Sequence, residues 1–383
     1  MMMNNGCQVA VIGGGPAGTS TALRLARMGL DVCLLEKNDF PREVLCGEFL
    51  SSEVGRELKS LGLYDKFLAL NPNKINSFRL INDDSTELNV DFNFESFAVK
   101  RSVFDNFLLE EAERSGVRIY QPADVKSINK ENGKFVLDVK DAGNSSFYLK
   151  PDFVVAAYGK RNVIDKQLHR NFTNKKSGLN GIKFHINKCF LPGFIKGRVE
   201  IYLSTGIYCG LNAVSDNEIT LCLLEDRNDF SGTPIDHLLR LFDKNKKFAE
   251  IFSNDFDPGN IQEQAYGTGN IYFGKRELVK DGVIMAGDAA GVIAPLAGDG
   301  IAMALQTGKI IAEIFGDRNF RGNYPDGIEA KYEEIWEENF RKRLLTAGII
   351  QEIILGGGLR NASIRAIKCF PFVLQYLVKN TRG

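Results

Sequence analysis

A glycine pattern near the start of the chain constrains the fold more than any other feature of the sequence. Residues 8–37 (QVAVIGGGPAGTSTALRLARMGLDVCLLEK) contain a short apolar run, glycines spaced as GxGxxG, a helical pattern that stops at Gly29, and a second apolar run. A strand, a glycine turn, a helix and a second strand in this order predict one βαβ unit. The sequence therefore predicts an α/β fold, and a glycine-rich turn without a ligand is the alternative.

The residue types in this unit fit a nucleotide. Gly13 permits the tight turn, Gly15 lets a pyrophosphate approach the backbone, and Gly18 lets the helix pack against the strand. The helix presents unsatisfied N–H groups to the phosphates. Glu36, after the second strand, is placed to accept hydrogen bonds from ribose hydroxyls and would repel the extra phosphate of an NADP-type ligand. The unit is thus Rossmann-like, and its other predicted cofactor contacts are Pro16, Ala17, Lys37 and Arg42.

A second nucleotide-facing loop lies far along the chain. Residues 281–315 give a strand, an acid at Asp288, a glycine-rich loop and a long helix that starts near Ile301. Two such loops suit a long ligand, and the positive end of the helix suits a group that becomes anionic, as a reduced flavin does. This pattern favours FAD over NAD, and a structural loop at the end of a strand is the alternative. The predicted contacts here are Gly287, Asp288, Pro295, Gly298, Gly300 and Ile301.

These motifs, with Arg101 in VKRSVFDNFLLEEA, resemble the FAD-binding signature of the p-hydroxybenzoate-hydroxylase-like flavoproteins. That superfamily includes aromatic hydroxylases, geranylgeranyl reductases and flavin-dependent halogenases. The segments PREVLCGEFLSSE and GIYCGLNAVSDNEITLCLL resemble the geranylgeranyl-reductase branch most closely. The resemblance implies FAD as the cofactor, with Asp288 at the ribityl chain and Arg101 near the pyrophosphate. A surface position is the alternative for Arg101.

The resemblance also implies the domain organisation: a Rossmann-like FAD-binding domain, an inserted antiparallel β-sheet substrate domain and a C-terminal helical tail. Strand-like segments at 75–84, 179–190, 197–214 and 218–224 agree with the inserted sheet. The predicted boundaries are 1–74, 101–165 and 266–320 for the FAD-binding domain, 75–100 and 166–265 for the substrate domain, and 321–383 for the helical region.

The helical tail is first charged and then apolar, and Pro371 interrupts its last part. Three alternatives stay open for it: packing on the core, formation of a dimer, or a roof over an apolar substrate channel that also contacts a membrane.

The segment LCGEFL at 45–50 is the candidate for chemistry. Gly47 lets the backbone approach the flavin, and Cys46 lines the reaction cavity. Glu48 is either a proton donor, with the raised pKa of an acid in an apolar pocket, or an orienting carboxylate. Geranylgeranyl reductases resemble this stretch in having a Cys-Gly pair here. The alternative is a tight turn at Gly47, with Cys46 in an apolar niche and Glu48 in solvent. Weaker candidates for the cavity are His185, Tyr202 and Tyr208.

Three departures from patterns of the superfamily bear on the chemistry. Tyr158 stands where the aromatic hydroxylases have an aspartate associated with FAD and the nicotinamide donor. No second strand–GxGxxG–helix unit provides a dedicated NADH domain. The electron donor, whether NAD(P)H, ferredoxin or a similar partner, is therefore not identified by the sequence. The single tryptophan, Trp336, lies outside any WxWxIP segment, which disfavours tryptophan-halogenase-type chemistry.

Charge and cysteine content narrow the partners. Lys plus Arg and Asp plus Glu are equal at 48 each, so no net field draws the chain to nucleic acid. The seven cysteines include no CxxC pair, which argues against a disulfide framework and a metal site. The first residues carry neither a basic segment nor a cleavage site. We expect a cytoplasmic protein, with peripheral contact to the inner face of a membrane left open by the apolar tail.

The function that these features favour is an FAD-dependent oxidoreductase acting on a hydrophobic small molecule, namely an isoprenoid lipid, a quinone or a polyketide. The Cys-Gly stretch and Tyr158 favour reduction of a carbon–carbon double bond by hydride from flavin N5. The alternative is a monooxygenase of an aromatic or polyketide substrate. A halogenase and a non-catalytic flavin-binding protein are further alternatives, because the fold alone does not choose the chemistry.

Overall fold

The structure is a computed structural model, and it describes residues 6–369 except 176, 227–230, 260, 262–264, 270 and 317–326. The strands are β1 (Gly6–Ile12), β2 (Val32–Leu35), β3 (Phe49–Leu50), β4 (Asn73–Ile81), β5 (Glu87–Ala98), β6 (Arg118–Tyr120), β7 (Ala123–Glu131), β8 (Lys134–Asp141), β9 (Ser146–Ala156), β10 (Leu179–Asn187), β11 (Arg198–Ser204), β12 (Ile207–Ala213), β13 (Glu218–Asp226), β14 (Tyr266–Thr268), β15 (Gly274–Lys275), β16 (Val279–Lys280), β17 (Val283–Met285) and β18 (Gly291–Val292). The helices are α1 (Pro16–Arg27), α2 (Ser52–Ser60), α3 (Tyr64–Leu68), α4 (Arg101–Arg114), α5 (Val163–Gln167), α6 (Pro234–Lys244), α7 (Lys246–Ala249), α8 (Gly300–Gly316), α9 (Ile328–Leu355) and α10 (Gly357–Cys369).

The first sheet has the order β16-β17-β9-β1-β2-β6, in which every neighbouring pair is parallel except the antiparallel pair β16 and β17. β1 pairs in parallel with β2 and β9, while β7 and β8 extend β9 as an antiparallel meander. Its central strands are apolar runs buried on both faces, as covered parallel sheets require. α1 packs against α8, with Ser20 Oγ donating to the Leu305 carbonyl at 2.9 Å. The predicted Rossmann-like α/β domain is confirmed.

The second sheet has the order β14-β10-β13-β12-β11-β4-β5-β3. Its neighbours are antiparallel, as predicted, except for the parallel pair β4 and β11. Side chains alternate between its two faces. On β12, Cys209 and Leu211 belong to a core shared with α6 and α7, whereas Tyr208, Gly210 and Asn212 face a cavity.

The strand positions differ from the predicted boundaries at three points. β3 and β14 belong to the second sheet although they lie in segments predicted for the FAD-binding part. β4 begins at Asn73, inside the segment predicted to end at 74. β3 and β14 are edge strands of two and three residues. Strands this short carry no periodicity, so the sequence gives no signal for them. The division into domains stays a prediction.

The C-terminal helices pack on both sheets. α9 buries one face in the first core, at spacings of three and four residues that include Tyr332, Trp336 and Phe340. Ile354 on α9 and Ile364 on α10 contact apolar residues of β4 and β11. The described part of the C-terminal tail therefore packs on the core, which is the first of the three alternatives considered from the sequence. Residues 370–383, with Pro371, lie outside the described residues.

Some apolar side chains of these helices stay on the surface. Leu345, Ile349 and Leu359 are 60%, 59% and 69% exposed. Within the described part of the chain, no helix combines the length and the apolar character that crossing a membrane requires.

Candidate functional site

A cavity of about 810 Å³ lies between the two sheets. One side is formed by residues that follow the carboxyl ends of β1, β2, β9 and β17. The other side is formed by the cavity face of the second sheet. Ligands of open α/β sheets bind at the carboxyl ends of the strands, so the cavity is where the fold places a ligand.

The glycine turn forms one end of the cavity. A Cβ at Gly18 would lie 1.9 Å from the Gly13 carbonyl oxygen, so this position admits only glycine. A Cβ at Gly15 would have no described atom nearer than Arg42 Nη2, at 3.7 Å. Gly18 therefore serves the contact between helix and turn, whereas Gly15 leaves open space on the cavity side.

Glu36 and Arg42 flank this open space. Glu36 is buried, and its two carboxylate oxygens accept hydrogen bonds from the Gly14 N–H (2.7 Å) and the Asn38 N–H (2.9 Å). Arg42 lies 3.8 Å from Glu36 and stacks over Phe40, but its Nε has no hydrogen-bond partner among the described residues. A buried guanidinium nitrogen beside a bare backbone suits a pyrophosphate, and a fixed carboxylate suits a ribose. The residues present therefore fit an adenine dinucleotide.

The predicted residues of the far loop also lie at the cavity. α8 begins at Gly300, and its first residues Gly300 and Ile301 line the cavity. The prediction of cofactor contacts at Gly18 and Gly287 is corrected, because neither residue lines the cavity. A Cβ at Gly287 would lie 2.7 Å from Ala17 Cβ, so Gly287 allows close packing behind the cavity wall. The other predicted cofactor contacts all line the cavity: Gly13, Gly15, Pro16, Ala17, Glu36, Lys37, Arg42, Gly47, Arg101, Asp288, Pro295, Gly298, Gly300 and Ile301.

Arg101 opens α4 beside the cavity. Its side chain makes a bidentate ion pair with Asp105, with both N–O distances 2.7 Å. Arg42 also approaches Asp105, at 3.6 Å. Asp105 thus holds two cations at the cavity wall, and the surface position considered for Arg101 is wrong because its side chain is 13% exposed.

Glu48 lies at the centre of a buried ionic cluster. One carboxylate oxygen accepts hydrogen bonds from the Arg101 backbone N–H (2.9 Å) and the Lys183 ammonium (3.1 Å). The other is 2.7 Å from His185 Nε2 and also accepts a hydrogen bond from Thr220 Oγ1. The Glu48 cluster, which comprises Glu43, Glu48, Lys183, His185 and Thr220, ties the loop before β3 to α4, β10 and β13.

The surroundings of Glu48 contradict its predicted role as a proton donor. Burial alone raises the pKa of this carboxyl, but the hydrogen bond to His185 and the charge of Lys183 outweigh burial and lower the pKa to about 2. Glu48 is therefore a carboxylate at neutral pH and has no proton to give. The prediction assumed an apolar pocket, and the donors that surround Glu48 come from strands far away in sequence.

Three members of the Glu48 cluster are arranged as metal ligands could be, but a lysine ammonium lies between the carboxylates. Glu43, Glu48 and His185 present ligand atoms within 4.8 Å of one another. The Lys183 ammonium lies 2.6 Å from Glu43 and 3.1 Å from Glu48. Because this buried cation already compensates both carboxylates, we assign the group to an ion-pair network.

Cys46 and Gly47 line the cavity next to this network. The Cys46 sulfur is partly buried and accepts a hydrogen bond from the Glu48 N–H at 3.3 Å. Because its carboxylate contacts anchor Glu48, two residues after Cys46, the thiol is fixed at the cavity wall rather than carried on a free loop.

Tyr158 is held by an ion pair. Its hydroxyl donates to Asp165 Oδ1 at 2.7 Å, and Arg170 contacts both groups. Arg170 also donates to the carbonyls of Glu277 and Ala289 at 2.7 Å each. Tyr158 therefore braces the strand ends beneath the cavity, where the hydroxylases have their aspartate.

A buried carboxyl pair lies at the start of α8. Asp299 accepts hydrogen bonds from Ser51 Oγ (3.0 Å) and from Arg343 of α9 (3.1 Å). Burial and the neighbouring carboxyl of Glu53 raise the pKa of Asp299 well above its usual range. The pair links the C-terminal helix to the loop beside the cavity.

The cavity face of the second sheet is mostly apolar. It presents Phe78, Phe92, Val199, Ile201 and Leu224. Tyr208 lines the cavity, as considered from the sequence, whereas Tyr202 is buried in the opposite core and hydrogen bonds to Glu200. His185, the third of these candidates, contacts Glu48 instead of lining the cavity.

Several side chains at the site escaped sequence reasoning, namely Glu43, Lys183, Asn212, Thr220, Arg276 and Asp299. Alternating polar residues on a strand ordinarily indicate a solvent face, so Lys183 and Asn212 gave a misleading signal. Arg276 is buried, stacks on Phe172 at 3.9 Å, and burial lowers its pKa to about 10.

Comparison with known proteins agrees with this geometry. A family model described as FAD binding domain matches residues 6–204, more than half of the chain. Digeranylgeranylglycerophospholipid reductase 1 of Methanococcoides burtonii is 24% identical over 91% of this chain and 84% of its own. Menaquinone reductase of Mycobacterium tuberculosis is 23% identical over 87% and 82%. The solved structure of a flavin-dependent brominase superposes with a TM-score of 0.80, at 19% identity over 98% of this chain and 93% of that chain.

Proposed function

The chain belongs to the family of FAD-binding domains, and from that premise we propose that it is an FAD-dependent reductase of carbon–carbon double bonds in hydrophobic small molecules. Isoprenoid lipids and quinones are the substrate classes that the names of its relatives support, and polyketides are the third class expected from the sequence. The observation that carries the proposal is the continuous cavity, which joins a dinucleotide-binding end to an apolar wall.

Within this proposal each end of the cavity has a defined role. Glu36 binds the adenosine ribose, while Gly15 and Arg42 receive the pyrophosphate. Asp288 holds the ribityl chain, and the first turn of α8, at Gly300 and Ile301, directs its N–H groups at the flavin ring. When bound, FAD would supply a hydride at N5, and the matching proton would come from solvent. The apolar wall would hold the substrate chain in the cavity by burying its apolar surface.

Cys46 is the proposed residue next to the flavin, since the Glu48 network fixes it at the cavity wall. Replacing Cys46 with alanine is expected to alter turnover at least severalfold while the free energy of unfolding changes by about 1 kcal/mol or less, because only one partly buried sulfur is removed. Steady-state rates and urea unfolding check this. Cys209→Ala, in the opposite core, is the matched control and should cost stability without a specific change in rate.

Product analysis tests the reaction. The FAD-loaded protein is reduced chemically and incubated with menaquinone or with an unsaturated archaeal glycerophospholipid, first without oxygen and then with isotopically labelled oxygen. A product that has gained two hydrogen atoms without oxygen supports the reductase. Incorporation of labelled oxygen would replace the proposal by the monooxygenase alternative.

The electron donor and the cellular setting stay predictions. A cytoplasmic protein that contacts the inner face of a membrane would use the exposed Leu345, Ile349 and Leu359 as its contact surface.

A further inference from the structure

Tyr208, Gly210 and Asn212 form a strip along the cavity face of β12. The Tyr208 hydroxyl lies 3.1 Å from the point where a Cβ at Gly210 would stand. The tyrosine ring therefore lies along the strand, over the glycine, and its hydroxyl reaches towards Asn212. A side chain at position 210 would displace it.

Asn212 brings a second hydrogen-bonding group to the same place. It is 3% exposed, and its Nδ2 has no hydrogen-bond partner among the described residues. On the neighbouring strand it pairs in register with Thr220, whose hydroxyl donates its hydrogen bond to Glu48 and not to Asn212. A buried amide N–H without an acceptor destabilises the protein, and a ligand that brings an acceptor would remove this destabilisation.

The Tyr208 hydroxyl and the Asn212 amide are spaced so that both can donate to one oxygen atom. Residues two apart on one face of a strand are separated by about 6.5 to 7 Å. With the hydroxyl above Gly210 and the amide extending from position 212, one oxygen between them can accept from both. The flanking residues in register with Gly210 are Ile201 and Cys222, so the surroundings are otherwise weakly polar.

We propose that Tyr208 and Asn212 bind one carbonyl oxygen of the substrate, which is therefore a hydrophobic molecule with a carbonyl group and not a plain hydrocarbon chain. This inference rests on the proposed function, in which the same cavity holds the substrate. Burial raises the pKa of the Tyr208 hydroxyl, with Cys222 and Cys209 adding to the effect, so the group keeps its proton as a donor. A site built from two donors rejects an analogue that lacks the acceptor.

The test uses calorimetric titration of the full chain as purified, with acetylnaphthalene and isopropenylnaphthalene as probes. The two ligands differ by a carbonyl oxygen against a methylene group of similar size. We expect the wild type to bind acetylnaphthalene about tenfold or more tightly than its hydrocarbon analogue. Tyr208→Phe and Asn212→Leu should each remove most of that preference, mainly by weakening acetylnaphthalene binding. Gly210→Ala should reduce it by displacing the hydroxyl.

Tyr272→Phe is the matched control, since it removes a hydroxyl from another cavity residue whose oxygen accepts from Lys175 at 2.9 Å. It should leave the preference for the carbonyl probe unchanged. Equal binding of the two probes by the wild type, no binding of acetylnaphthalene, or an unchanged preference in both Tyr208→Phe and Asn212→Leu would overturn the inference. Because these titrations need no turnover, failure of double-bond reduction with an intact carbonyl preference would count against the proposed function alone.

Discussion

Replacing Glu48 with glutamine is expected to lower the free energy of unfolding by about 3 kcal/mol at neutral pH. The variant keeps the size of the side chain but removes the charge that compensates Lys183, and it exchanges an acceptor for a donor facing other donors. Removing one partner of a buried ion pair leaves the other uncompensated, which is the reason for the large effect. Urea unfolding of the two proteins measures it.

The pH dependence of this difference is a second readout. The pKa of Glu48 falls from 4.5 to about 2 on folding. A lowered pKa means that the stabilisation is fully present above the unfolded pKa and is lost as the pH falls towards the folded pKa. The shift corresponds to about 3 kcal/mol. The gap between wild type and Glu48→Gln should therefore be constant near neutral pH and narrow below about pH 4.5.

Glu218→Gln is the control for this experiment. Glu218 lies 3.8 Å from His185 and also pairs with Lys100, but its side chain is 28% exposed. Exposed pairs contribute about 1 kcal/mol or less, so this variant should change stability little at any pH. A Glu48→Gln variant no less stable than Glu218→Gln would mean that the cluster does not stabilise the fold.

The contrast between the glycine turn and the Glu48 cluster explains what the sequence predicts. The turn is local: Gly13, Gly15, Gly18 and Glu36 lie within one βαβ unit, so their spacing encodes their arrangement. The Glu48 cluster joins residues from the loop before β3, from β10 and from β13, and its hydrogen bond between Glu48 and Thr220 spans 172 positions. No local pattern shows such convergence, and the same glutamate looks like an acid in an apolar pocket until its partners are placed.

The second sheet also contains residues whose burial the sequence does not predict. Alternation along β12 predicts which residues share a face, and Tyr208, Gly210 and Asn212 do. It does not predict what covers that face. Because the strand ends and loops of the first sheet cover it, the polar residues of β10, β12 and β13 are buried against a cavity instead of facing solvent. Only the packing of the two sheets gives these residues a functional meaning.

The glycine turn itself allows a sharp separation of folding from cofactor binding. Gly18→Ala is expected to lower the free energy of unfolding by about 3 kcal/mol or more, because the new Cβ would lie 1.9 Å from a backbone oxygen that cannot move away easily. Gly15→Ala should cost about 1 kcal/mol or less, since Gly15 has an ordinary extended backbone (φ −74°, ψ 178°) and open space in front of it. Urea unfolding of the FAD-free proteins compares the two.

FAD affinity should show the reverse pattern. The methyl group of Gly15→Ala occupies the space through which the pyrophosphate approaches the backbone N–H groups, next to Arg42 Nη2 at 3.7 Å. Loss of hydrogen bonds to a charged phosphate corresponds to about a hundredfold weaker binding. Fluorescence titration with FAD measures this in a protein whose stability is nearly unchanged. A Gly15→Ala variant that binds FAD like the wild type would place the pyrophosphate elsewhere, and Arg42 would lose its proposed role with it.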